Sequence, residues 1–564
     1  MHLLKPPNLP QLPLASWAPL RAALEESLVD RGGILNFSHD FLRKAVEAAF
    51  LQDPAKKDDC RIALAGYFEA QPSTERSCDE LPWLLWRAEI FERLRNCLLD
   101  IDRFLRIHGR DEDELSTYWV NMNEERSMGE SYINSFNAWS EKKVMSHELT
   151  AFAANQLGMF LFNASLHAEA ELLIKKALKI VERSPGKGYP NVATDLNNLA
   201  ELYRATNRLG KAEPLIKRAL KIDEQNFGKD HPNVAIRLSS LAELYRATNH
   251  LGKAEPLIKR ALKIDEQSHG KNHPNVARDL NNLAQLLQDT NRLTEAEPLM
   301  IRALKIDEES YGKNHPTVAR DLNNLARLFQ DTNRLEQAEP LMIRALKIDE
   351  QSLGKDHPKV ANRLNNLATL LKDTNRLDEA EPLMKRALRI YEKSYGKDHP
   401  NAAIGLNNLA NLYHNSYRLD EAESLYLRAL KIDEQSFGKD HPNVARDLNN
   451  LATLFLYTNR LNEAEPLFRR VLKITEQSLG KDHPSVATIL NNLGSLLKTL
   501  NRMAEAEQLM KRSVEILIIF TRTTGQQHPY FKISVKNYTK LLQTVGRSKV
   551  QIDTQLKKMG SEFF

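Results

Sequence analysis

Seven histidines stand one residue before a proline and recur every 42 residues: His231, His273, His315, His357, His399, His441 and His483. Imidazoles in register could ligate a metal. Equivalent helices in a stacked array lie about 10 Å apart, whereas two ligands of one zinc ion, each about 2 Å from the metal, sit only ~4 Å apart. Neighbouring units therefore cannot share an ion, and the histidines read as helix-start residues. Acidic pairs such as Asp223-Glu224 and Asp265-Glu266 invite an acid–base reading. Sequence neighbours on a helix do not face each other, and general acid–base catalysis needs groups converging on one proton. The pairs read as a solvated helix face. No metal site, cofactor or catalytic set is expected.

Phosphate chemistry is excluded on similar grounds. No GxxxxGK[ST] occurs in the 564 residues. The GK steps in SPGKGYP (from Ser184) and LGKAE (from Leu209) lack the preceding glycine and the following hydroxyl residue, so neither forms a phosphate cradle. The three cysteines, Cys60, Cys78 and Cys97, show no CxxC spacing and read as small buried thiols in a reducing compartment. The longest apolar run, Ile516 to Phe520, is far short of the ~20 residues that span a bilayer. The first 17 residues carry four prolines and no continuous apolar core, unlike a secretory leader. A cytoplasmic location is expected. The net charge of +5 is small for this length. It resides between Tyr530 and Phe564, which leaves a near-neutral body suited to protein partners rather than nucleic acid or membrane.

The elements that position these residues follow from the period. Prolines fall at 190, 232, 274, 316, 358, 400, 442 and 484. Pro190 begins a helix, since proline at the first helical position forfeits no intrahelical bond. Val192, Leu196, Leu199, Ala200, Leu202 and Tyr203 then recur at helical spacing. Asn207-Arg208-Leu209 interrupts the pattern, and Ala212, Leu215, Ile216, Ala219, Leu220 and Ile222 mark a second helix. Gly228 ends it, in a left-handed cap position. Each unit is thus a pair of antiparallel helices of about 15 residues that cannot bury its apolar face alone. Stacking completes the core, giving an all-α solenoid built from local contacts. All five tryptophans and all three cysteines precede residue 140, which marks a separate N-terminal domain.

The spacing Leu199-Ala200, Tyr203, Ala212, Ile216, Ala219 resembles the tetratricopeptide repeat. The string LNNLAELY…AEPLIKRALKIDEQ…GKDHPNVA is similar to the 42-residue version in kinesin light chain. That resemblance implies a right-handed solenoid: a degenerate unit at 148–189, eight units at 190–525, then a single capping helix and basic tail at 526–564. A Pro-rich segment occupies 1–20. Residues 21–145, with SLVDRGGILNFSHDFLRKAVEAAF and ELPWLLWRAEIFERLRNCLLD, resemble the segment between the NTPase module and the repeats of NACHT-type signalling proteins. The resemblance implies a smaller, mainly helical, winged-helix-like domain, with Phe37-Ser38-His39 at the place of a nucleotide-contacting FxH. The NTPase module itself is missing, so a separately encoded NACHT-type NTPase enters as a candidate partner.

In tetratricopeptide proteins the first helix of each unit lines the concave face. Residues at i, i+3, i+7 and i+10 share one helix face; in the Pro190 unit these are Thr194, Asn197, Glu201 and Arg204. The second position is asparagine in seven of the eight units: Asn197, Asn281, Asn323, Asn365, Asn407, Asn449 and Asn491. An amide ladder can hold an extended peptide by its backbone, and the resemblance implies the same use. Packing is the other reading of the ladder. The following asparagine (Asn198, Asn282, Asn324) reads as a bond between units. Arg278, Arg320 and Arg446 at the first position, with Arg204, Arg246, Lys372 and Lys498 at the fourth and Arg327 at the third, favour an acidic or carboxylate-bearing ligand; Glu201 and Glu243 oppose it. The expected function is a non-enzymatic scaffold that captures a protein segment in this groove. The alternative is a sensor acting with a separate NTPase.

Overall fold

The computed structural model describes residues 28–31, 34–37, 54–70, 73–110, 112–124, 127–142, 146–183 and 190–563. Ser38, His39, the 1–20 segment and Ser184 to Tyr189 lie outside them. The chain divides into two compact bodies, Met1–Val144 and Met145–Phe564.

In the N-terminal body, strand β1 (Leu28–Arg31) pairs antiparallel with β2 (Ile34–Phe37), Leu28 opposite Phe37. Six helices follow between Pro54 and Lys142. The hairpin is the one departure from helix among the regular elements described. Aromatic packing explains why the tryptophans gather here. Trp119, Tyr132, Phe104 and Phe136 are fully buried. The Trp119 indole donates to the Tyr132 hydroxyl at 3.3 Å, and that hydroxyl donates to the Leu98 carbonyl at 3.1 Å, so both polar tips are satisfied inside the core. Cys78 and Cys97 are buried as expected, while Cys60 is exposed.

The second body is a stack of helix pairs. His147–Asn163 and His167–Arg183 form the degenerate pair. Pro190–Ala205 and Leu209–Phe227 form the first full pair, and the pattern repeats up to Pro484–Thr499 and Met503–Thr524. First helices of the full units have 16 residues and second helices 19, save the last with 22, with the inner proline (Pro214 and its equivalents) inside the second helix, just past its first turn. Asparagine holds the tight turn between helices. Asn207 has φ 56°, and every later unit repeats this left-handed conformation, with Tyr417 in place of asparagine in one; asparagine tolerates it better than most side chains. Gly228 ends the second helix at φ 87°, ψ 165°. The positive φ matches the sequence reading; the ψ is extended rather than left-handed helical, so the chain leaves the helix straight. Small residues sit at the helix crossings. A Cβ on Gly158 would come within 2.6 Å of Ile174 Cγ1, and one on Gly494 within 2.8 Å of Met510 Cγ. The C-terminus departs from expectation. After Phe531–Thr544, a second helix, Lys549–Gly560, packs Ile552 and Leu556 into the core, so the basic tail is a folded cap. Among the described residues no helix is long and apolar enough to cross a membrane.

The solenoid also makes contacts that a linear array lacks. The turn between the helices of one unit meets the helix start of the unit six places on. His399 Nε2 lies 3.2 Å from Ser165 Oγ and 3.3 Å from the Asn163 carbonyl, and His441 Nε2 lies 2.9 Å from the Ala205 carbonyl. Asn207 donates to Ser478 Oγ at 2.7 Å and Asn291 to the Gln527 carbonyl at 2.9 Å. Ala247 and Asn249 share a cavity wall with His483. Successive superhelical turns therefore touch along a seam.

Candidate functional site

Each repeat histidine caps the helix behind it. His231 Nδ1 accepts the Asn233 amide at 3.1 Å, and His273 Nδ1 accepts that of Asn275 at 3.2 Å. This satisfies one of the orphan donors at a helix start. Five of the seven rings also stack on an aromatic or histidine ring four residues back, among them Phe227 on His231 at 4.5 Å, Tyr311 on His315 at 4.6 Å and Phe437 on His441 at 4.4 Å. Because Nδ1 accepts, Nε2 carries the proton and donates wherever it meets a carbonyl. Burial pushes His399 and His483 down to about 4, and His441 and His528 in the same direction.

The asparagine ladder lies between units. Asn281, Asn323, Asn365, Asn407 and Asn491 are each 5% exposed or less, and Asn197 and Asn449 are half-buried. Asn281 donates to the Ala277 carbonyl at 3.1 Å and to Asp321 of the next unit at 3.0 Å. Asn407 repeats this with Ala403 at 3.1 Å and Asp447 at 2.8 Å. Asn365 reaches the Tyr391 hydroxyl at 3.4 Å. The following asparagine closes the chain from the other side: Asn366 donates to Asn323 at 2.7 Å and Asn450 to Asn407 at 3.2 Å, while Asn537 of the cap donates to Asn491 at 3.2 Å. Amides bonded between the third, fourth and fifth units, between the sixth and seventh, and between the eighth and the cap form a polar spine that fixes how units stack.

The arginines at the first position are occupied too. Arg278 bonds Asp265 at 3.0 Å and Asp279 at 3.2 Å; both aspartates are 0% exposed. Arg320 clamps Asp307 and Asp321, and Arg446 clamps Asp433 and Asp447. In two of the units where that arginine is lacking, the next residue substitutes: Arg237 reaches Asp223 at 2.9 Å and Arg363 reaches Asp349 at 2.8 Å. The solvated-face reading of these acidic pairs is therefore corrected for the aspartates. The helix turns Asp223 and Asp265 inward, where an arginine of the next unit offsets the cost of burying a carboxylate. Two carboxylates beside one guanidinium still repel. Burial, with the neighbouring aspartate, pushes Asp307 up to about 7 and Asp433 to about 8.

The third and fourth positions remain open. Arg246, Gln285, Gln288, Asp289, Asn324, Arg327 and Asp331, from the first helices of three consecutive units, line a concave pocket of about 310 Å³. Arg246 pairs with Asp289 at 3.2 Å and Gln288 donates to Asp331 at 3.1 Å; Arg327 is exposed. Crowding by the concave wall raises the carboxyls of Asp289 and Asp331 above their ordinary range. Upstream, Arg204 pairs with Glu201 and Glu243; downstream, Lys372 lies 3.6 Å from Asp373. Over the next two units the face loses its charge, with Asn411, His414, Thr453, Leu456 and Tyr457 in the corresponding places, before Lys498 restores one cation in the last. Sequence reasoning missed Gln285, Gln288, Asp289 and Asp331. The signal was available: these positions vary between otherwise near-identical units. Among the described residues no cluster of three metal-ligating side chains occurs.

Comparison with known proteins bears on this geometry. The family described as Nephrocystin-3 TPR domain matches residues 63–272, and Tetratricopeptide repeat matches overlapping stretches from 251 to 518. Nephrocystin-3 of Mus musculus is 35% identical over 185 residues, covering 32% of this chain and 14% of that protein. The human protein is 35% identical over 186 residues, with the same coverage. The chain thus spans about a seventh of the length of these curated relatives. Among solved structures, a Podosopora anserina putative kinesin light chain with nearly identical TPR-like repeats is 22% identical at TM-score 0.32, covering 36% of this chain and 98% of that one. BtubC (BKLC) from P. vanneervenii is 23% identical at TM-score 0.33, covering 43% and 91%.

Proposed function

This chain is a tetratricopeptide-repeat protein, and from that premise we propose a non-enzymatic scaffold that holds an extended segment of a partner protein along the first-helix face. One observation carries the reading. The asparagines and first-position arginines are consumed in joining units, while the third and fourth positions and the aspartates beside them present half-exposed amides and exposed carboxylates and guanidinium groups along a concave wall. Alternating donors and acceptors suit a peptide backbone and mixed-charge side chains. The carboxylate preference expected from the arginine set narrows accordingly. Arg278, Arg320 and Arg446 are engaged by internal aspartates, Lys372 is held loosely beside Asp373, and Arg327 is the exposed cation placed to meet an acidic residue of the ligand.

A peptide array probed with the full chain tests this. The variant Gln288→Ala, Arg327→Ala, Lys372→Ala alters exposed or half-exposed groups, so its melting temperature should match the wild type while captured peptides are lost. Unchanged capture overturns the groove reading. A second reading, a sensor acting with a separate NACHT-type NTPase, draws on the Nephrocystin-3 match beginning at residue 63, inside the N-terminal body. Deleting residues 1–145 would abolish association with such a partner and spare peptide capture.

A further inference from the structure

The seam has two edges, and the molecule leaves part of each uncovered. On the turn edge, Ser165, Asn207, Asn249 and Asn291 lie under the next superhelical turn and are half-buried; the equivalent Asn333, Asn375, Tyr417, Asn459 and Asn501 are exposed. On the cap edge, His399 and His441 are packed against a turn, whereas His315 is exposed and His231 and His273 are half-exposed. The covered edge shows what fits the uncovered one: a positive-φ turn on one side and a stacked aromatic–histidine cap on the other. Aromatic contact is part of that fit, since the His167 ring of the turn side lies 5.3 Å from Phe437, which stacks on His441.

Near-identical units carry the same chemistry everywhere, so retention alone argues little. The departures argue more. Tyr417 replaces the turn asparagine of the other full units and is held at φ 60°, a left-handed conformation that strains a bulky side chain. It is 74% exposed, and Tyr457, 6.2 Å away, is 54% exposed. His414 lies against the Tyr457 ring at 5.3 Å. These side chains form an aromatic cluster on the uncovered turn edge. The uncovered cap edge offers the Phe227–His231 and Tyr311–His315 stacks, with Phe227 37% and Tyr311 48% exposed.

We propose that the uncovered turn edge, centred on Tyr417 and Tyr457, docks the uncovered cap edge, centred on Tyr311 and His315, of a second copy of this chain, extending the intramolecular seam between molecules. The occupant is a second copy because, among the described residues, the surface seen to fit a turn edge is this chain's own cap edge. The contact joins two different surfaces, so it is heterologous and does not close at two subunits. Tyr457 stands at the place that Asp289 takes in the groove wall, so the Tyr311 edge, which lies off that wall, is what separates this contact from the peptide-groove reading.

Sedimentation of the full chain across the micromolar range tests it. Wild type should grow with concentration from monomer past dimer. Tyr417→Asn with Tyr457→Asp restores residues that other units carry at these places, so folding is preserved, and association should weaken at least tenfold. Tyr311→Ala on the opposite edge should weaken it similarly. Mixed together, the two variants retain one intact edge each and should stop at a heterodimer. A wild type that stays monomeric, one that closes at a dimer, or variants that associate as wild type does would each overturn the proposal.

Discussion

The turn at Asn207 and the turn at Asn375 have nearly the same sequence and the same backbone, φ 56° and 60°. One is half-buried and donates a hydrogen bond to Ser478 across the seam; the other is exposed to solvent. Units of a solenoid are usually treated as interacting only with their neighbours, so that stability is a sum of unit and junction terms. Here the superhelix is tight enough that contacts 236 residues apart recur in register. Identical units acquire different environments from their place in the superhelix alone, and the covered and uncovered halves of one edge become an internal control.

Acid should break the comparison most. His399 and His483, on the covered cap edge, and His167, on the covered turn edge, are each held at about 4 by burial, below the free value of 6.5. A lowered folded value means the open or unfolded state binds protons first. The seam is at full strength above pH 6.5, weakens as pH falls, and has lost this contribution near pH 4. The buried aspartate pairs act in the opposite sense. Their raised values stabilise the fold at low pH and withdraw that contribution as pH rises toward 7, so global melting mixes the two. A local readout separates them. Spin labels at Gly210→Cys and Lys481→Cys, with the exposed Cys60 changed to Ser, should give one narrow distance at pH 7 that broadens toward pH 4.5. An unchanged distribution would mean that the histidines do not hold the seam.

Much of this fold is legible in the sequence. Pro190 and its successors announce the start of the first helix in each full unit, and the following apolar spacing gives both helices. The polar site is legible in type and not in direction. A mid-helix asparagine at position i+3 was readable as a ladder, but whether its amide faces the groove or the next unit depends on helix rotation. Asp321 settles that by drawing Asn281 inward. Similarly, Asp265 and Arg278 belong to consecutive units, so their pairing appears only once the stacking is known. The seam could not be read at all, because superhelical pitch sums small rotations over six units.

Removing single caps sharpens the comparison with a medium effect. Either His441→Ala or His315→Ala deletes an N-cap, costing about 1 kcal/mol. At His441 the substitution also strips the donor from the Ala205 carbonyl, adding ~1–3 kcal/mol for a polar group left unpaired beneath the next turn. Chemical denaturation should rank His441→Ala clearly below His315→Ala. Equal losses would show the contact with Ala205 to be energetically silent.

The smallest effect isolates one seam bond. Asn207→Ala and Asn375→Ala each put alanine at a left-handed turn position with the same strain, so that cost cancels between them. What remains is the bond from Asn207 to Ser478, worth about 0.5–1.5 kcal/mol net. Changing Ser478→Ala as well completes a double-mutant cycle. Its coupling with Asn207 should equal the difference between the two single asparagine variants, and its coupling with Asn375 should vanish. If both couplings vanish, the covered turn is merely shielded by the next one, and the distinction between the two edges is one of exposure rather than attachment.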